Sequence, residues 1–230
     1  KNIASSKSAL GSLSIRSGQY SVARHYFTES SRFWTEARTR DPAIASDAAI
    51  HIHENSLAIV ECEFAMDRLD AAGDAAMSVG VKLTEMQKAD PGNHRVVGAL
   101  AKSFTLVGRV LEARQDLEMA RKAYQQSSDL YARAVELDSA VDDYQLGLGN
   151  SLARVGLLSN DTSKLEGAAG VLGRVVASNP YESTYLKTLA DIYGALATGQ
   201  RDGGKVKNAI ALEQKAISIL KPIVEGNRSV

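Results

Sequence analysis

The chain has 230 residues, 44% hydrophobic and 23% charged, with 27 basic and 27 acidic residues and a formal net charge of zero. That composition excludes a disordered segment, and the interspersed signs, with no basic patch, argue against nucleic acid as the main partner. No apolar run approaches the roughly 18–20 residues of a membrane-spanning helix, and a single cysteine, Cys62, rules out an intramolecular disulfide and so gives no compartment.

Read in order, the sequence predicts ten helices in five pairs. The chain opens Lys1-Asn2-Ile3 with no signal-peptide pattern, and its first helix starts almost at once. The expectation is therefore a domain with further protein upstream. Ile3–Ser17 and Gln19–Arg40 form the first pair, punctuated by Gly18 and ended by Asp41-Pro42. Ala43–Arg68 and Ala71–Ala89 form the second, closed by Asp90-Pro91-Gly92-Asn93. Arg95–Arg109 and Ala113–Leu137 form the third. Val141–Leu158 and Ser163–Ser178 form the fourth, and the turn residues Ser159-Asn160-Asp161-Thr162 between them offer N-caps. Glu182–Thr198 and Lys205–Val224 form the fifth, joined by a flexible Gly199–Gly204 linker, and 226–230 is expected to fray. No stretch reads as a strand bounded by hairpin turns.

The pairs repeat one another. Ala23–Pro42 aligns with Ala120–Ser139, 97 residues later, with six of twenty positions identical. The shared face is an aromatic, a small residue three later, an aromatic four later and a small residue three later: Phe27, Ser30, Trp34, Ala37, and then Tyr124, Ser127, Tyr131, Ala134. A 3.6-residue turn puts all four on one side of a helix. Large residues there fill volume, and small ones let a second backbone approach. Ala76, Val79, Leu83, Met86 and Leu165, Ala168, Leu172, Val175 keep the spacing, and Ala209 and Ala216 mark a fifth copy ending near Lys221-Pro222. The ends at Pro42, Pro91, Ser139 and Pro180 are 49, 48 and 41 residues apart, long enough for two helices each. The first helix of a pair carries its own signature, seen at Leu10-Gly11, Leu100-Ala101-Lys102-Ser103-Phe104, Leu148-Gly149-Asn150-Ser151-Leu152 and Leu189-Ala190-Asp191-Ile192-Tyr193.

These motifs resemble the tetratricopeptide repeat (TPR) family, with Leu-Gly/Ala-x-x-Tyr in helix A, Ala-x-x-x-Phe-x-x-Ala in helix B and Pro at the repeat end. The resemblance covers nearly the whole chain and is weakest in the second pair, Ile44–Leu69. It implies an all-α fold, a right-handed α-α superhelix in which antiparallel pairs stack into one domain over residues 1–225. Family repeats run to about 34 residues, so these longer ones imply extended helices.

Catalytic and metal motifs are thin. Gly199-Gln200-Arg201-Asp202-Gly203-Gly204-Lys205 fits the phosphate-loop pattern, but Val206 follows where Ser or Thr would hold magnesium, and no strand precedes it. It reads as a turn between helices. His51 and Glu54 share a helix face while His53 points elsewhere, and His25 and His94 lie in other repeats, so three convergent metal ligands are missing. Cys62 lies nine residues from His53 and eleven from His51 and reads as a buried structural thiol. Asp142-Asp143 reads as a helix N-terminus. Asn160-Asp161-Thr162 and Asn227-Arg228-Ser229 match the glycosylation sequon. The reading is of no enzyme, no cofactor and no metal.

In the resembled family the A helices line a concave groove that takes peptides or partner segments. Anchored on the motifs above, that groove would be lined by Ser8 and Ser12, by Arg95 and Lys102, by Asp143 and Asn150, and by Thr184, Lys187 and Asp191. These are polar and of mixed sign, as a plain solvated face would also be. They do not reproduce in order the Lys, Asn and Arg clamp of the chaperone-binding variant. The expectation is a protein-interaction scaffold or regulatory module with a protein or peptide partner, without nucleic acid or membrane insertion. Its parent would be a larger signalling protein such as a bacterial serine/threonine kinase, cytoplasmic, or periplasmic if the parent is membrane-anchored. The alternative is a small-ligand or metal sensor with a pocket near His51 and Glu54.

Overall fold

Every helix pair turns in the same way. The structure, a computed structural model, describes residues 2–180 and 182–226. Among them are ten α-helices, one short 3-10 turn and no strand. They are α1 (Asn2–Arg16), α2 (Tyr20–Arg40), α3 (Ala45–Ala65), α4 (Leu69–Ala89), α5 (His94–Ala113), α6 (Leu117–Leu137), α7 (Asp142–Ser159), α8 (Thr162–Ser178), α9 (Ser183–Asp202) and α10 (Val206–Gly226). Odd-numbered helices are the A helices of the pairs and even-numbered ones the B helices. The expected tail beyond Gly226 and the Asn227 sequon lie outside the described residues.

Each A helix ends on one residue in the left-handed region: Gly18 (φ 73°), Asp67 (60°), Gln115 (63°), Asn160 (52°) and Gly204 (74°). At Gly18 its own N–H reaches Ile15 O at 2.9 Å, and the next N–H, of Gln19, reaches Ser14 O at 2.8 Å. Crossed bonds of the same kind close the turns at Asp67, Gln115 and Gly204, and Asp161 N–H to Gly156 O at 2.9 Å does so after Asn160. They satisfy carbonyls that a helix end leaves without a donor. Each of the first four B helices ends on an acidic or amide residue whose N–H reaches back four residues: Asp41 to Ala37, Asp90 to Met86, Asp138 to Ala134 and Asn179 to Val175.

Several boundaries differ from the expectation: α5 runs on to Ala113 rather than ending at Arg109, and α6 starts at Leu117 rather than Ala113, because the left-handed turn falls at Gln115; α3 ends at Ala65 rather than Arg68 and α4 starts at Leu69 rather than Ala71, because the turn there falls at Asp67. The Gly199–Gly204 stretch is not a flexible linker: α9 runs on to Asp202, because the left-handed turn falls at Gly204 and Gly199 O accepts from Gly203 N–H at 3.1 Å. Pro42 starts a 3-10 turn (Pro42–Ile44), with the Asp41 side chain accepting from Ala43 N–H, and this delays α3 to Ala45. Pro222, expected as the end signal of the fifth copy, does not end it but lies inside α10, within the expected Lys205–Val224 span; the carbonyl it leaves unpaired belongs to Ser218, which is exposed to water.

The repeated face is the core. Phe27, Ser30 and Trp34 are all at most 4% exposed, as are Tyr124, Ser127 and Ala134. Gly11 lies flat on the Phe27 ring, where a Cβ would come within 2.8–2.9 Å of three ring carbons, and Gly149 does the same against Leu172 at 2.5 Å. These are the small positions of the A-helix signature, so the glycines set how closely A and B helices approach. Ser30 Oγ donates to Ala4 O of α1 at 2.9 Å, the same close approach made polar.

The chain divides into two compact units, Lys1–Ala123 and Tyr124–Val230, the division falling inside α6. In the first, α1 to α5 pack in chain order and α3 also lies against α5; in the second, α7 to α10 pack in chain order and α7 also touches α9. The A helices α3 and α5 in the first unit, and α7 and α9 in the second, therefore meet side by side. A continuous apolar core links Ala153, Leu165, Leu172, Leu189 and Leu196 in the second.

Candidate functional site

In the first unit, α3 and α5 are laced by charge. Asp47, Glu54 and Glu61 recur every seven residues on α3, and Arg95, Lys102 and Arg109 recur every seven on α5. A seven-residue step returns to nearly the same face of a helix. Arg95 bonds Asp47 Oδ1 at 2.6 Å and both oxygens of Glu54 at 3.0 Å. Lys102 pairs with Glu61 at 3.3 Å, and Arg109 lies 4.3 Å over the Phe64 ring. Burial alone would lower the Arg95 pKa; the carboxylates of Glu54 and Asp47 outweigh it and raise it. His51 fills the remaining space, with Nδ1 2.9 Å from Glu54 Oε2 and its ring stacked on Trp34 at 4.4 Å. His51 and Glu54 do share a face. Asp47 stands beside them, but the guanidinium occupies the point where a cation would sit. No cluster of three metal-ligating side chains suited to an ion occurs among the described residues. His53 faces away toward Lys82 and Arg38; burial first, then those two cations, pushes its pKa down.

Between α1 and α3 the packing opens. One hydrogen bond ties the helices, from Ser8 Oγ to Asn55 Oδ1 at 2.7 Å. Asn55 in turn donates to Ser30 Oγ at 2.9 Å, and Ser8 and Ser30 hydroxyls sit 2.8 Å apart. Two hydroxyl protons serve three short oxygen contacts, those to Asn55, to Ala4 and to each other, so only two carry a proton at once. Beside this network lies a cavity of about 420 Å³. Ile15, Phe27 and Ala58 are its apolar lining, and Ser8, Ser12, Arg16, His51, Glu54, Asn55, Glu61 and Lys102 its polar lining.

No protein-family model matches the chain, and no curated protein matches it in sequence. Solved structures do resemble it. TTC0263, a thermophilic TPR protein of Thermus thermophilus, superposes with TM-score 0.53 at 15% identity over 96% of this chain and 94% of its own. BtubC (BKLC) of P. vanneervenii gives 0.61 at 15% identity over 94% of this chain and 79% of its own. The nearly identical TPR-like repeats of a putative kinesin light chain from Podosopora anserina give 0.53 at 15% identity over 96% and 95%. The fold is that of the TPR arrays.

On TPR helices the sequence-predicted residues fall as follows. Ser8, Ser12 and Lys102 come together around one cavity, and Arg95 lies next to it. Arg95 and Lys102 are held by carboxylates of α3 rather than presented singly. In the second unit Asp143, Thr184, Lys187 and Asp191 are exposed and Asn150 is half-buried. Asp143 faces Tyr185 of α9, whose pKa is raised by burial first and then by Asp143, Asp142 and Glu182. Asn55, Arg16 and Glu61 also line the cavity, although no sequence motif singles them out. The heptad spacing of Asp47, Glu54 and Glu61 against Arg95, Lys102 and Arg109 was the signal that could have found the seam. Cys62 is fully buried and its pKa is pushed up to about 11, by burial above all and by Glu61 and Glu63, so it is no nucleophile at neutral pH.

Proposed function

We propose that the chain is a non-enzymatic protein-interaction scaffold whose A helices receive a partner segment. The observation that carries this reading is the TPR fold itself, with α3 beside α5 in one unit and α7 beside α9 in the other, and α1 tied to α3 by the Ser8–Asn55 bond, so that polar side chains of the A helices share one side of each unit. Ser12, Asn150, Lys187 and Asp191 are the contact residues this assigns. The charge seam supports a partner of mixed polarity: with Arg95 and Lys102 committed to α3, a two-carboxylate clamp has no free cations there. Attachment to a signalling protein such as a serine/threonine kinase rests on the family resemblance alone.

Site-specific photo-crosslinking tests it. A crosslinking amino acid is placed at Ser12, Asn150 or Lys187 on A helices, and at Arg32 or Arg174 on the outer faces of B helices. The expected result is one partner captured from the A-helix positions and absent from the B-helix positions. Equal capture from both sets, or none from the A helices, refutes the assignment.

A further inference from the structure

The cavity between α1 and α3 has more donors than its own residues use. Glu54 is held by Arg95 through both oxygens and Glu61 by Lys102, so both carboxylates on its wall are already compensated. Arg16, at the last turn of α1, makes no ion pair or hydrogen bond among the described residues and is exposed. Asn55, 4% exposed, spends one N–H on Ser30 and accepts from Ser8; its second N–H has no partner among the described residues. A buried donor without an acceptor is costly, and an exposed guanidinium beside an apolar wall adds an uncompensated positive charge. Ile15, half-buried, supplies most of that wall, and Phe27 and Ala58, 4% and 9% exposed, complete it from the core behind.

An apolar body would cover the wall, and an attached anion would meet the free charge. A purely apolar ligand would strip water from Arg16 and return nothing, and would leave the Asn55 N–H without an acceptor. A cation would meet Arg16 and Lys102 with their charge unspent or shared. We propose that this cavity binds a small organic acid, a monocarboxylate carrying one branched or aromatic apolar group. The carboxylate lies toward Arg16 and Lys102, and the apolar group against Phe27, Ile15 and Ala58. The volume of about 420 Å³ falls within the range of small-molecule sites. Because α1 and α3 are otherwise tied by the Ser8–Asn55 bond, the ligand bridges the first two A helices and stiffens them. This site stands apart from the partner-segment reading and does not depend on it.

The test uses three probes and calorimetry on the whole chain. N-acetyl-leucine carries the acid and the apolar group; N-acetyl-leucinamide lacks the charge; acetyl-Leu-Asp-amide presents the same groups as an internal peptide segment. The acid is expected to bind at least about tenfold more tightly than the amide, and to slow amide exchange in α1. Arg16→Gln is expected to bring the acid down to the affinity of the amide while leaving the amide unchanged. Ser12→Trp, which blocks the cavity from an exposed position on its lining, is expected to abolish both. Equal binding of acid and amide, no binding of the acid at millimolar concentration, or an acid affinity untouched by Arg16→Gln overturns the proposal. Tighter binding of the dipeptide than of the acid also overturns it, in favour of a partner segment. Arg16 is exposed and unpaired, so its variant folds as the parent does.

Discussion

Replacing Gln115 with glycine should stabilise the chain. Gln115 sits at φ 63°, the left-handed position that ends α5. A side chain there costs about 1–2 kcal/mol through the approach of Cβ to the next carbonyl. Glycine removes that strain but loses more backbone freedom on folding, a cost of about 0.5–1 kcal/mol. The net gain is therefore about 0.5–1 kcal/mol. Nothing else is lost, since Gln115 is exposed and its amide reaches only the Glu112 carbonyl, at 3.5 Å. For a chain of this size the gain amounts to a rise of about 1–4 °C in Tm. The reverse change is available at Gly18 and Gly204, where a Cβ would meet nothing within 4 Å, so Gly→Ala there isolates backbone strain from packing. Gly18→Ala should lose about 1 kcal/mol. Asn160→Gly should change little, because asparagine tolerates this region. Thermal unfolding followed by circular dichroism reads each of these variants. A Gln115→Gly midpoint at or below the parent's, with Gly18→Ala neutral, would refute the claim that one left-handed turn closes every pair.

Two further outcomes follow from the core and its charges. Ala134 is fully buried on the repeated face, so Ala134→Leu should overpack it and cost roughly 1–3 kcal/mol, read as a lower urea midpoint. Glu63 is 7% exposed and accepts from Arg24 at 2.8 Å and Arg68 at 3.2 Å; burial raises its pKa, the two guanidinium hydrogen bonds outweigh it, and the result lies below the ordinary value of 4.5. A depressed folded pKa gives stability that is present above about 4.5 and is lost as pH falls through the folded value. Glu63→Gln should therefore lower the urea midpoint at neutral pH and flatten its decline below pH 4.5; an acid limb as steep as the parent's would remove Glu63 from the account.

The fold is legible because its signal is steric and local. Phe27, Ser30, Trp34 and their copies announce a tightly packed helix face, and Asp41-Pro42 or Asp90-Pro91 announces its end. Where one residue can serve two roles, sequence and structure part. Gly199 and Gly204 both look like punctuation, but a helix stops where a residue turns left-handed, and only Gly204 of the two does so. The second pair is ambiguous in sequence because Asp67 fills the position that Gly18 fills in the first, and an aspartate in the left-handed region gives no glycine to see. The site is less legible for a different reason. The family resemblance, anchored on the A-helix motif, brings out Ser8, Ser12 and Lys102, but neither it nor helical periodicity tells which partner a charge will meet. That Arg95 faces Asp47 and Glu54 depends on how α3 lies against α5, 41 to 48 residues away in sequence.

The seam also constrains what recognition can cost. Arg95 and Lys102 pair with α3 while remaining partly exposed, at 29% and 40% of their side-chain surface. A partner that recruited Arg95 would have to break bonds to Asp47 and Glu54 and leave two carboxylates uncompensated, whereas one that met Arg16 would break none. Pairs as exposed as these contribute little individually, but a guanidinium shared by two carboxylates and flanked by a stacked histidine is a network, held in one geometry. The α3–α5 seam is thereby committed to holding one repeat on the next. On the proposed readings, the side chains of this unit open to a partner or ligand without breaking the seam are Ser12 and Arg16 of α1, both exposed beside the opening where α1 and α3 part.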